Sequence, residues 1–234
     1  MMQIRKAADR GHVNFGWLNS YHTFSFGEYY DTKNMNWGPL RVINDDTVSG
    51  GGGFPTHSHR DMEIISYVLD GALEHKDSMG TGSVIRPGDV QMMEAGTGVA
   101  HSEFNASQND PVHFLQIWII PKFSGLKPSY QQQHFAEEEK RGRFRVVVSP
   151  EGQDNSLRIH QDMVMYSALL NGEEAIDWRQ DPARLAYVHV ARGRIAVNGM
   201  ELNAGDGVKM SDEPHLRFER GHEAEILLFD LPSL

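Results

Sequence analysis

Gly51-Gly52-Gly53-Phe54-Pro55-Thr56-His57-Ser58-His59 opens a stretch that closes on Gly96-Thr97-Gly98-Val99-Ala100-His101-Ser102-Glu103-Phe104-Asn105. It holds two ligand pairs, His57 with His59 and His101 with Glu103, each at i, i+2 spacing. Residues two apart on a β-strand point to one face. If both segments are strands lying near each other, three imidazoles and one carboxylate converge. That donor set suits a divalent transition metal. The glycine run from Gly50 to Gly53 lacks the Gly-Lys-Ser/Thr ending of a phosphate loop, and no helical pattern follows it. It reads as a turn that brings the backbone close to its neighbours ahead of the His57 strand.

Around this stretch the chain reads as short strands with frequent turn signals. Met62 to Val68 is a buried strand, Asp70-Gly71 a hairpin turn, and Ala72 to Lys76 the return strand. Arg86-Pro87-Gly88-Asp89 is a turn before the strand Val90 to Met93, and Val112 to Ile120 is a long apolar strand. Upstream, Val13 to Leu18 and Tyr21 to Phe26 alternate with period two, and Leu40 to Asn44 is a short strand. Residues 122–145 are polar and poorly periodic, and read as a connection with a short helical turn. Strands resume at Phe144 to Val148, Leu157 to His160, Met163 to Leu170, Leu185 to Val190, Arg194 to Val197, Gly207 to Met210 and Ile226 to Asp230. This pattern predicts an all-β chain of sandwich or barrel type.

A weak internal repeat divides it. Tyr67 to Ala72 and Val188 to Arg194 each place a strand ahead of a glycine turn, and Arg86 to Val90 and Asn203 to Gly207 each carry a Gly-Asp turn. The expected division is 1–125 and 126–234. The second half has no His-x-His and no His-x-Glu; His160, His189, His215 and His222 are scattered. Only the first half therefore carries a metal set.

Composition bounds the rest. The 234 residues include 32 acidic and 22 basic ones, a net charge of −10 that disfavours general nucleic-acid binding. No apolar run is long enough for a membrane span. Met1 to Arg10 has charges but no apolar core, unlike a signal peptide. The absence of cysteine excludes disulfides and thiolate ligation, and fits a cytoplasmic protein.

The motifs resemble those of cupins. Gly51, His57, His59 and Glu63 match the first cupin motif, and Gly98, His101 and Asn105 match the second. Gly71 falls one residue later than that first motif's final glycine, and Gly96 replaces the second motif's proline. The wider context resembles the pirin family, closest to its bacterial members: Trp17 to Phe26, Leu40 to Asp46, His59 to Ile64, Gly96 to Glu103, and Gln116-Ile117-Trp118-Ile119 before Pro121. The resemblance covers essentially the whole chain. It implies a bicupin, two facing jelly-roll-like β-barrels with metal only in the N-terminal one. Its ligands would be His57, His59, His101 and Glu103. Glu63 competes for the carboxylate position, because it shares the parity of His57 and His59 and is the ligand of the standard cupin motif; the pirin-type His-x-Glu favours Glu103.

The implied activity is that of a quercetin 2,3-dioxygenase, a metal-dependent enzyme acting on a flavonol and O2, with Glu103 as both ligand and base. The resemblance favours Fe(II), while the donor set also suits Zn, Cu, Mn, Ni or Co. The alternative is a metal- or redox-responsive protein that works through a protein partner without turnover. His75 and His113 read as structural or supporting residues, and Asp61 or Asn105 as an acceptor for a ligand's free N–H. Trp17, Phe24, Phe26, Trp37 and Trp118 read mostly as core, with one or two lining a pocket for a flat ligand.

Overall fold

Alternating burial decides where the ligand strands lie. In Val99–Asn105 the residues Val99, His101, Glu103 and Asn105 are buried, while the residues between them are half-buried or exposed. One strand face thus carries His101 and Glu103 inward together, as its period of two requires. The computed structural model describes residues 1–233. It is almost wholly β, and among those residues no helix is long and apolar enough to cross a membrane.

The N-terminal half is a sandwich of two antiparallel sheets. The four-stranded sheet runs in the order Gly53–His59, Val99–Asn105, Leu73–Asp77 and Gly82–Ile85. The seven-stranded sheet has Glu63–Asp70 and Val112–Ile119 at its centre, flanked by Asp89–Glu94 and Leu40–Val48. Glu63–Asp70 is a continuous buried run up to Asp70, rich in β-branched and aromatic residues. Burying side chains such as Ile65 and Ile117 contributes about 1.5–3 kcal/mol each.

The C-terminal half is a nine-stranded sheet organised on two long strands, Arg184–Val197 and His215–Pro232. The first reads from sequence as two pieces, Leu185 to Val190 and Arg194 to Val197, and the second only as Ile226 to Asp230. They are single strands bent by register shifts between Val190 and Ala196, with Gly193, Arg220 and Glu223 at positive φ around the bend. The four repeat glycines, Gly71, Gly88, Gly193 and Gly205, all have positive φ, so both halves use the same turn chemistry.

Two strands cross between the halves. Met2–Arg5 pairs with Gly207–Met210 in the C-terminal sheet, and Ser129–His134 pairs with Asp89–Glu94 in the N-terminal one. The second lies inside the segment expected to be a connection. Its glutamines hide it from a hydrophobic pattern: Gln131 donates to the carbonyl of Arg158, Gln132 to Val84 and Gln133 to Asn155. Hydrogen bonds across the halves, not apolar alternation, define that strand. The short helical turn is Glu137–Lys140. A shared core joins the halves, with Phe24, Leu40 and Ile117 from the first packed in one cluster with Tyr187, Leu227 and Phe229 from the second.

Candidate metal centre

Neighbouring strands supply the two ligand pairs. Val99–Asn105 pairs with Gly53–His59, and His57 lies directly opposite His101. A bulge between His101 and Glu103 breaks the register, so Glu103 faces Phe54 instead of Pro55. Gly53 permits the close approach of these strands: a Cβ there would stand 2.6 Å from the Glu103 carbonyl oxygen. The glycine turn thus has the role read from the sequence.

His57, His59 and His101 come together, with one donor atom from each mutually within 4.8 Å. The ring centroids of His57 and His101 are 4.5 Å apart, and His59 lies 4.8 Å from both. His57 Nδ1 donates to the Pro55 carbonyl at 2.8 Å, which leaves Nε2 as the nitrogen that faces His101. Nε2 of His101 meets it at 3.1 Å, while the buried His101 Nδ1 has no partner. Burial lowers the His101 pKa to about 3, with His59 and His57 adding, and burial lowers His59 to about 4. Both rings are therefore in the neutral, ligating form near neutral pH. Three imidazoles that bring donor nitrogens within 4.8 Å of one another fit a divalent transition metal.

Glu103 is fully buried on the same strand face, but its nearest ring partners are His101 and His75; it does not share the tight cluster of His57 and His59. Its Oε2 accepts from Gln116 Nε2 at 2.8 Å and its Oε1 from Ser66 Oγ at 3.3 Å. Burial raises its pKa to about 7, against the pull of Gln116 and Ser66.

Glu63 lies elsewhere. The chain leaves the four-stranded sheet after His59 and enters the seven-stranded one at Glu63, through Asp61 at a φ of 47°. Parity does not carry across a change of sheet. Glu63 instead gathers with Glu94 and His160.

His75 is closer to the centre than its sequence reading suggests. It lies opposite Glu103, its ring centroid 5.3 Å from that of His101, and its Nε2 meets Asp77 Oδ2 at 3.0 Å. The signal was present in Asp77, two residues further on. Asp61 and Asn105 do not support the histidines. Asp61 accepts from Gly125 N–H, and Asn105 donates to the carbonyls of Val48 and Asp110. Of the aromatic set, Trp118 packs edge-on against His59 at 5.0 Å, and Trp17 reaches the centre only through Phe54. Phe24 is core and Trp37 packs at the junction of the halves.

A shallow mouth of about 370 Å³ opens beside His59, between Arg60 and Thr97 to Ala100. A larger cleft of about 1030 Å³ lies away from His57, His59 and His101, where Leu69, Lys140, Arg192 and Glu225 meet across the halves. Cavity size therefore does not locate this centre; the convergence of ligand side chains does.

Comparison with known proteins agrees with this architecture. Residues 3–119 match the Pirin family model, and residues 146–231 match the quercetinase C-terminal cupin domain. The chain is 44% identical, over 100% of both chains, to a protein of Escherichia coli (strain K12) named quercetin 2,3-dioxygenase. The crystal structure of the bacterial pirin YhhW from Escherichia coli in complex with nickel(II) superposes with a TM-score of 0.95 at 43% identity, covering 100% of each chain. A quercetin 2,3-dioxygenase from Acinetobacter baumannii shares the fold at 20% identity and a TM-score of 0.80, covering 99% of this chain and 86% of that one. With both cupin halves matched and near-complete superposition on a bacterial pirin, this chain belongs to the pirin family.

Proposed function

We propose that the protein is a metal-dependent quercetin 2,3-dioxygenase, opening the oxygen-bearing ring of a flavonol with O2 and releasing one ring carbon as CO. The observation that carries this reading is the convergence of His57, His59 and His101, with the buried carboxylate of Glu103 beside His101. The full-length likeness to a protein of that name supports the substrate class.

A divalent ion held by His57, His59, His101 and Glu103 would supply Lewis acidity toward the substrate's 3-hydroxyl oxygen and redox contact with O2. Glu103 takes the proton from that hydroxyl. Gln116 and Ser66 hold its carboxylate in place, and burial makes it a stronger base than an exposed carboxylate. The Pro55 carbonyl orients His57. Trp118, edge-on to His59, offers an apolar wall for a flat ring near the mouth.

Fe(II) is the ion we favour from the family resemblance, and the donor set also suits Ni, Mn, Co, Cu or Zn. In this reading residues 1–125 form the metal-holding cupin and 126–234 the metal-free one, with Met2–Arg5 and Ser129–His134 exchanged between them. The cysteine-free composition supports a cytoplasmic setting. The test is absorption spectroscopy of quercetin with metal-loaded protein in air. Decay of the flavonol band supports the proposal, and an unchanged spectrum with Fe, Mn, Ni, Co and Cu in turn would sink it.

A further inference from the structure

Glu63 and Glu94 are buried carboxylates set directly opposite each other in an antiparallel strand pair. Like charges in that relation are destabilising. Among the described residues, neither carboxylate forms an ion pair with lysine or arginine. The group that faces them both comes from the other half of the chain. His160 Nδ1 lies 3.5 Å from Glu63 Oε1 and 3.5 Å from Glu94 Oε2.

The remaining hydrogen-bonding capacity is uneven. Glu63 accepts the backbone N–H groups of His160 at 2.6 Å and Gln161 at 3.1 Å, and Glu94 Oε1 accepts the N–H of Gly96 at 2.8 Å. Glu94 Oε2 has no hydrogen-bond partner, although Glu94 is only 2% exposed. An orphaned buried carboxylate oxygen is costly unless a cation or a proton meets it.

The spacings suit a cation. Donor atoms about 2.1 Å from a tetrahedral ion stand about 3.4 Å from one another. The His160 ring is 35% exposed, which leaves a solvent side for entry and for a water as fourth ligand.

We propose that Glu63, Glu94 and His160 form a second divalent-cation site at the junction of the two cupin halves, separate from the histidine centre. Two carboxylates and one imidazole suit Zn2+ or Mn2+. Bound there, the ion bridges strands of the N-terminal half to the segment after Leu157–Arg158, and so ties the halves together. Its competitor is a proton. Burial, with the charge of Glu94 adding, pushes the Glu63 carboxyl well above the ordinary carboxylate range.

The test uses tag-free, full-length protein dialysed to equilibrium against Zn2+ and assayed by elemental analysis. Wild type should hold two ions per chain, and His160→Ala, Glu94→Gln and His101→Ala one each. His160→Ala keeps its backbone N–H to Glu63, and Glu94→Gln keeps an oxygen for Gly96, so both variants retain the local fold. Anomalous scattering from zinc-soaked crystals should give a peak among Glu63, Glu94 and His160 that survives in His101→Ala. A single ion per wild-type chain that is lost in His101→Ala and retained in His160→Ala overturns the proposal. So does a second ion that persists in both His160→Ala and Glu94→Gln, or the absence of that peak.

Discussion

The Nε2 atoms of His57 and His101 face each other at 3.1 Å across paired strands, while the Pro55 carbonyl holds the proton of His57 on the opposite nitrogen. The register that sets His57 opposite His101 fixes this meeting. His101 links the two ligand groups, because it gathers with His57 and His59 on one side and with His75 and Glu103 on the other.

His101→Ala should therefore weaken metal binding at this centre at least about 100-fold, since removing a ligand should exceed the 10–100-fold effect of losing a supporting group. Equilibrium dialysis with Ni2+, followed by elemental analysis, measures it. Unchanged Ni2+ affinity would show that the three rings do not act together.

Gln116 donates to Glu103 at 2.8 Å without touching the histidines. Gln116→Ala should lower kcat for flavonol turnover about 10-fold while metal content holds near wild type. A fall in metal content matching the fall in kcat would mean that Gln116 serves the fold of the site and not the carboxylate.

Gly53→Ala tests the close approach of the ligand strands. The added Cβ would press on the Glu103 carbonyl oxygen, so the strand of His57 and His59 must move away from that of His101. Overpacking of this kind costs about 1–3 kcal/mol. Denaturant unfolding should show that loss, and Ni2+ affinity should fall with it; wild-type values for both would contradict the packing described.

Acid should destabilise the junction of the halves through His189. It is fully buried, neither ring nitrogen has a partner, and burial with the charge of Arg10 lowers its pKa from 6.5 to about 4. The unfolded chain then binds this proton first as pH falls. Stability is full above pH 6.5, declines between 6.5 and 4, and is level below that. At pH 5 the loss from this group is about 2 kcal/mol. In metal-free protein, His189→Leu should lose less urea resistance between pH 7 and pH 5 than wild type does. Equal losses would remove His189 from the account.

The strand spacing of the two ligand pairs was legible because a period of two needs only local sequence. The all-β class and both halves were legible from turn residues such as Gly71 and Gly205, whose positive φ is a property of single positions. Strand exchange was not, because Met2–Arg5 and Ser129–His134 pair with strands remote in sequence. Glu63 stood as a rival to the favoured Glu103 for a related reason: parity extends only as far as one strand, and Asp61 turns the chain into another sheet. His75 enters the neighbourhood through its cross-strand register with Glu103, a relation that spacing along the chain does not contain.

Oxygenation of a flavonol at this histidine centre is open to direct measurement. The most direct measurement is O2 uptake and CO release by metal-loaded protein given quercetin, alongside His101→Ala. Wild type should release one CO per O2 consumed, and the variant should change neither gas. Quercetin loss without CO, or equal CO release from His101→Ala, would contradict it.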